Sequence, residues 1–201
     1  MKLYYAPATR ATRPRWLLEE MGVPYQLVRL DPKAGETRTP EHLARHPLGH
    51  VPVLEDGEVR LFESAAICLW LAERFPEKGM IPPPGTPGRA LAYQWVLYAM
   101  TELEPPVAQL SALARAPEGE RDEAAAAKAR ERFQVAVRGL EPTLAAQPYL
   151  LGDAFTVADL IAAACVSWGR ARAGALEGAP AVEAWLAEIR RRPAWRRATA
   201  D

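Results

Sequence analysis

Cysteine is scarce in this 201-residue chain: only Cys68 and Cys165 occur, far apart, each inside an apolar run. That placement fits buried, reduced thiols of a cytoplasmic protein better than a disulfide framework. An excess of either charge is also missing. Lys plus Arg and Asp plus Glu stand at 25 each, so no net field draws the chain to nucleic acid or to a membrane. No apolar run approaches the length that spans a bilayer. The N-terminal stretch enters strand-like Lys2-Leu3-Tyr4-Tyr5 directly, without the apolar core of a signal peptide. These absences point to a cytoplasmic protein with no nucleic-acid and no membrane partner. Lysine is rare as well, four against twenty-one arginines, a bias that GC-rich and thermophilic sources share. There is no internal repeat.

What the chain does have is core-forming material, 49% hydrophobic, enough for one large domain or two small ones. Its two halves follow different patterns. Residues 1–75 alternate strand and helix signals. Leu3–Tyr5 is a short strand; Trp16, Leu17, Leu18 and Met21 mark a helical face that Gly22, followed by Val23-Pro24, should stop. Tyr25–Leu30 alternates like a strand, a polar loop covers Asp31–Thr39, and Glu41–Arg45 fits one helical turn before Pro47. An Asp56-Gly57 hairpin joins Val53–Leu54 to Val59–Phe62, and Ala65–Phe75 is an apolar helix. The order is β-α-β-(α)-β-β-α, a parallel crossover followed by an antiparallel pair.

Residues 76–88 are dense in proline and glycine and mark a linker. Residues 89–201 are helical throughout. Arg89–Ala116 is one long pattern that Pro105-Pro106 should kink or divide, and Glu123–Ala145 is a second helix. Thr156 and Asp159 form a capping-box start for a helix through Trp168, with Phe155 placed as a hydrophobic staple. Ala181–Arg191 is the last clear helix. The predicted architecture is an α/β domain over 1–75 and an all-α domain over 89–201.

The most informative stretch runs from Gly49 to Ser64. Proline cannot donate a ladder hydrogen bond, so a strand opening on Val51-Pro52 leaves its edge open there. The backbone of Val51 is then available to an extended, peptide-like ligand. Just beyond the hairpin, Ser64 stands at a helix N-terminus, where unpaired N–H groups suit a carboxylate. Together these features describe a site for a small, extended, anionic peptide.

Three longer motifs, KLYY-x4-R-x2-RPRWLLEEMGVPY, HPLGHVPVLEDG and ESAAICLWLAERFPEKG, resemble the N-terminal half of a bacterial cytosolic glutathione transferase. FTVADLIAAA and RRPAW resemble its C-terminal signatures, and the likeness spans nearly the whole chain in order. The resemblance implies a thioredoxin-like N-terminal domain, an all-helical bundle carrying an electrophile pocket, a homodimer, a cis Val51-Pro52 bond, and glutathione as co-substrate with no metal. Glutathione carries two carboxylates, an ammonium and a thiol. On this likeness the Val51 backbone pairs with its cysteinyl unit. Glu63 accepts from the ammonium, and Ser64 donates to the α-carboxylate. His50, where relatives often carry lysine or arginine, donates to the glycyl carboxylate.

The thiol must become a thiolate, and the family's activating serine falls on Thr9. A cysteine used by some subfamilies is replaced by Arg10, which removes mixed-disulfide chemistry at that residue. Thr9 is the expected catalytic hydroxyl, with Arg10 and Thr12 as further candidates; the alternative role for Thr9 is a helix cap. Tyr98 and Trp168 are candidates for the apolar pocket, although aromatic residues at helical spacing are more often core. His42, His46 and His50 recur every four residues, but Pro47 and Gly49 break the helix a metal site would need. The leading function is conjugation of glutathione to small hydrophobic electrophiles. The alternatives are a glutathione-dependent disulfide reductase or peroxidase, and a binding scaffold without turnover.

Overall fold

The computed structural model describes residues 1–117 and 119–200. Strand β1 (Lys2–Tyr5) lies inside a four-stranded sheet of order β2-β1-β3-β4, with β2 at Gln26–Arg29, β3 at Val53–Asp56 and β4 at Val59–Phe62. β1 runs parallel to β2 in the register Leu3↔Leu27 and antiparallel to β3 in the register Leu3↔Leu54. Side chains alternate across a sheet, so Leu3 and Leu54 share one face and Tyr4 points to the other. There the Tyr4 hydroxyl donates to Glu55 Oε2 at 2.8 Å, beneath the guanidinium of Arg45.

Two features of the hairpin region differ from the sequence-based expectation. The ladder begins at Val53, two residues beyond Val51-Pro52, and β3 is an interior strand. The unladdered backbone is therefore the approach to β3 rather than an open sheet edge. The Val51-Pro52 bond is cis. The hairpin loop is Gly57-Glu58 rather than Asp56-Gly57, because Asp56 still pairs with Val59. Gly57 has φ 60°, which suits glycine at the first central position of a type II′ turn.

Helix α1 (Thr12–Met21) buries Trp16, Leu17 and Leu18 completely. Pro14 is tolerated in its first turn, where the missing N–H would have had no helical partner. Gly22, at φ 63°, ends it as a left-handed cap. The short α2 (Pro40–Leu43) is capped by the Thr39 side chain. α3 (Ser64–Arg74) packs on α1 with Ile67 and Leu71 fully buried.

The described chain forms two compact units, one of Met1–Ile81 with the C-terminal segment from Arg191, the other of Pro82–Arg190. The limits expected from composition, 1–75 and 89–201, are displaced at both ends. Met80 and Ile81 inside the predicted linker are buried, and α4 already starts at Pro87. The final helix, α10 (Pro193–Ala198, numbered after the six helices of the second unit), returns to the first unit. Trp195 meets Trp16 edge-on at 4.7 Å. Arg192 grips Glu20 through two bonds of 2.7 and 2.8 Å, and Arg197 reaches Glu19 at 2.6 Å. These terminal arginines are tertiary partners of α1, where helix-end charges are usually left in solvent.

In the second unit, α4 (Pro87–Tyr98) passes through a π-helical turn at Ala99–Leu103 into α5 (Glu104–Leu113). The widened turn precedes Pro105-Pro106, whose rings would collide with carbonyls of a regular helix. The expected Glu123–Ala145 helix is two helices, α6 (Glu123–Arg138) and α7 (Glu141–Ala146). Pro142 accounts for the break. α8 (Val157–Ala173) is fully buried over much of its length, and α9 (Pro180–Arg190) packs on α7 and α8.

The predicted capping box at the start of α8 is present, and the carboxylate does more than cap. Asp159, with no exposed surface, accepts from the N–H groups of Leu150 and Thr156 at 2.8 and 3.0 Å, and from Trp185 Nε1 at 3.4 Å. Burial pushes its carboxyl above the usual range, and these donors oppose that shift. Phe155 meets Tyr149 edge-on beside it, with ring centroids 5.8 Å apart. Asp159→Ala leaves several buried donors unsatisfied and should cost about 3 kcal/mol. Chemical denaturation will measure that loss, and an unchanged midpoint would overturn this account of Asp159.

Candidate functional site

The turn between β1 and α1 is held by a hydroxyl. Thr9 Oγ1 donates to the carbonyl of Ala6 at 2.6 Å and accepts from the N–H of Ala11 at 3.3 Å. Ala8, just before it, has φ 54°, a conformation that costs a non-glycine residue about 1–2 kcal/mol. The N-cap position of α1 is Ala11, which provides no side-chain cap. Thr9 thus fixes the turn ahead of the helix and is not its cap.

A second wall comes from the loop before α2 and the approach to β3. Gly49 has φ 58°, and a Cβ there would lie 2.4 Å from the Thr37 carbonyl oxygen. Only glycine allows this close approach, which brings Thr37 and Arg38 against residues 48–50. Arg38 Nη1 donates to the carbonyl of Leu48 at 3.0 Å. His42, buried in α2, holds the His50 carbonyl through Nε2 at 2.9 Å. His46 is also buried; its Nδ1 accepts from Leu48 N–H at 3.1 Å, and its ring meets those of Phe62 and His50. His50 itself is exposed.

The third wall is the start of α3. Glu63 has φ 69°, stands exposed, and provides no side-chain cap to the helix. The first-turn N–H groups are therefore not consumed by a cap, contrary to the plain-cap alternative. Ser64, buried, receives a 3.0 Å hydrogen bond from Arg13 Nη1. Among the described residues, Ala8 and Glu63 are the two non-glycine positions of positive φ. One adjoins the cavity and the other lines it. Strain of this kind collects where a ligand is clamped.

These walls enclose a cavity of about 380 Å³ lined by Thr9, Arg10, Pro32, Thr37, Arg38, His46, Gly49, His50, Val51, Pro52, Glu63 and Ser64. Every lining residue belongs to the first unit. All seven predicted first-domain site residues, Thr9, Arg10, His50, Val51, Pro52, Glu63 and Ser64, converge there. Thr12 is not among the lining residues. Sequence reasoning missed Arg38, Thr37, Pro32 and the placement of His46. A cation in the polar loop before α2 was the available signal for Arg38, but only the glycine-enabled approach brings it to the cavity.

Tyr98 and Trp168 lie in the second unit and do not line this cavity. Tyr98 is half-buried, and its hydroxyl donates to the Ala136 carbonyl at 2.9 Å, closely against Gly139. Trp168 is half-buried on α8. Both cysteines are fully buried, and burial raises the Cys68 thiol far above its usual range, so it stays protonated. Among the described residues, no group of three or more His, Cys, Asp and Glu is arranged to hold a metal ion. No helix there is long and apolar enough to cross a membrane.

The fold is a small mixed four-stranded sheet with helices and a cis Val51-Pro52 approach to β3, followed by a helical unit. The chain matches the glutathione S-transferase N-terminal domain model over residues 1–73 and the C-terminal domain model over residues 90–193. It belongs to the glutathione S-transferase family. Glutathione S-transferase 3 of Zea mays is 31% identical, over 100% of this chain and 93% of that protein. Glutathione S-transferase 4 of the same plant is 33% identical, over 96% and 89%. Among solved structures, glutathione transferase F7 from Populus trichocarpa aligns with a TM-score of 0.89 at 28% identity, covering 99% of this chain and 97% of that one. A bacterial relative from Burkholderia graminis, with two glutathione molecules bound per subunit, aligns at 0.87 and 26% identity, covering 100% and 87%.

Burial, followed by the neighbouring His50, lowers the pKa of His46 below the ordinary histidine value. The unfolded chain then binds this proton more readily than the native one. The stability contributed by neutral His46 is complete above about pH 6.5 and is lost as the pH falls through the lowered native value. His46→Asn should shrink the difference between denaturation midpoints at pH 7.5 and 5.5. An undiminished difference would show that other groups cause it.

Proposed function

We propose that this protein is a transferase that joins the thiolate of glutathione to small hydrophobic electrophiles. The observation carrying this reading is that one cavity brings together a hydroxyl, an unladdered cis-proline approach, an exposed carboxylate and the start of α3. Each meets a different part of the tripeptide. Val51 offers main-chain groups to the cysteinyl unit, in the manner of strand addition. Glu63 accepts from the γ-glutamyl ammonium, and Ser64 with the first turn of α3 binds the α-carboxylate. Arg38 joins His50 for the glycyl carboxylate; a guanidinium keeps its charge at every working pH, which an imidazole does not.

Activation of sulfur falls to Thr9. Its oxygen is fixed by the Ala11 N–H, while its proton rests on the Ala6 carbonyl. Rotation of the hydroxyl redirects its hydrogen bond to a thiolate, a stronger acceptor than a neutral carbonyl, while the proton stays on the threonine oxygen. A hydrogen bond to a charged acceptor contributes roughly 1.5–3 kcal/mol, about one to two units of thiol pKa. From a free value near ~8.5, that places a large share of the bound ligand in its ionised form at neutral pH. Arg10, on the same wall, adds positive charge. Disulfide or hydroperoxide reduction here would have to use the ligand's own sulfur, since both protein thiols are buried.

In the helical unit, Tyr98 and Trp168 are the candidates to meet the electrophile, the hydroxyl of Tyr98 resting on the Ala136 carbonyl. A homodimer, a cytoplasmic location and a role in detoxification complete the proposal. Exposed apolar side chains support self-association: Leu48 and Leu97 are each 61% exposed, with Phe62 at 40%.

Thr9→Ala should return the bound thiol pKa, read by ultraviolet titration, to near ~8.5, and lower kcat/KM for aryl-halide conjugation about 10- to 100-fold. Thr9→Ser should keep both. Full activity in Thr9→Ala would remove Thr9 from the mechanism, and tight binding with an unshifted thiol in the wild type would favour a scaffold without turnover.

A further inference from the structure

Arg13 does not line the cavity, yet it makes a buried contact with a residue that does. Its side chain is 3% exposed, as is that of Ser64, and Nη1 lies 3.0 Å from Ser64 Oγ. The two residues sit in the first turns of α1 and α3, helices packed on one another. A guanidinium has donors only, whereas a hydroxyl has one proton and two lone pairs. The contact therefore has a single polarity: Arg13 donates and the serine oxygen accepts.

We propose that Arg13 is a positioning residue that makes Ser64 a committed donor to the α-carboxylate of the bound peptide. An unsupported serine at a helix start can turn its proton toward a nearby backbone carbonyl. With one lone pair held by Arg13, the oxygen is fixed in place and its proton is directed at the cavity. Hydrogen bonds in a chain polarise one another, and a charged donor strengthens the next link. The positive charge behind Ser64 also favours an anion in front of it. Glu63, held at φ 69°, sets the entry angle of Ser64 into α3 and so completes the arrangement. The inference rests on glutathione being the ligand. It deepens that reading by assigning selectivity for a free γ-glutamyl α-carboxylate to a residue outside the cavity.

Titration calorimetry tests it on the wild type, Arg13→Gln, Arg13→Lys, Ser64→Ala and the double variant Arg13→Gln/Ser64→Ala. The two ligands are glutathione and 4-aminobutanoyl-cysteinyl-glycine, which lacks only the α-carboxylate. Arg13→Gln should weaken glutathione about tenfold and the analogue less than about twofold. Arg13→Lys, which keeps the charge and a donor, should restore part of the loss. In the Ser64→Ala background the Arg13→Gln effect should fall to about threefold or less, because its target is gone. Equal losses for the two ligands, or an undiminished effect without Ser64, would overturn the proposal and leave Arg13 a packing residue. A wild type that binds neither ligand would instead defeat the glutathione reading, and this inference with it. Should Arg13→Gln not fold, neutron diffraction of the wild type decides: a Ser64 deuteron directed into the cavity supports the proposal, and one on a backbone carbonyl overturns it.

Discussion

A small anionic peptide can be held only by donors and acceptors that the fold has not already used, and those occur where regular elements end. Every wall of the cavity obeys this constraint. The turn before α1, the loop before α2, the approach to β3 and the first turn of α3 are all places where the backbone leaves a helix or ladder. The sheet order brings the approach to β3 beside the end of β1, since Tyr4 pairs with Val53. The packing of α3 on α1 brings the two helix starts together. Neither helix start spends its first-turn N–H groups on a side-chain cap.

Holding those ends in place has a cost, and the structure shows where it falls. Ala8 and Glu63 adopt positive φ without being glycine, while Gly49 takes a position no other residue could occupy. The offset comes from behind the cavity. Trp16, Leu17 and Leu18 are fully buried, and the C-terminal helix braces α1 through Trp195, Arg192 and Arg197. The first unit is thus finished by the last residues of the chain. A core alone would hold the helix; the bidentate Arg192–Glu20 pair also sets its orientation.

Much of the site was legible in the residues because its chemistry is local. Val51-Pro52, Glu63-Ser64 and the turn at Thr9 each announce themselves within a few positions, and all three reach one cavity. What escaped was carried by contacts distant in sequence. Arg38 looks like any loop cation until Gly49 admits the Thr37 carbonyl. Arg13 looks like a landmark in a helix until its guanidinium meets Ser64. His46 looked like an unpromising metal ligand and became a buried wall residue, because Leu48 N–H engages its ring. Tyr98 looks like a pocket aromatic in the residues alone, and only the packing shows its hydroxyl resting on the Ala136 carbonyl.

The sequence by itself determined the succession of elements in the first half, the stop at Gly22, the interruption near Pro105, the capping box of Thr156 and Asp159 and the split between a mixed and a helical half. These depend on periodicity, on missing N–H groups and on short side-chain reach, all of which act over a turn or two. Only the tertiary structure decided that β3 lies inside the sheet, that the segment from Arg191 belongs with the first unit, and that the buried Arg13 donates to Ser64. Those outcomes depend on which surfaces bury one another. Burial is a property of the whole packed chain, and no window of neighbouring residues contains it.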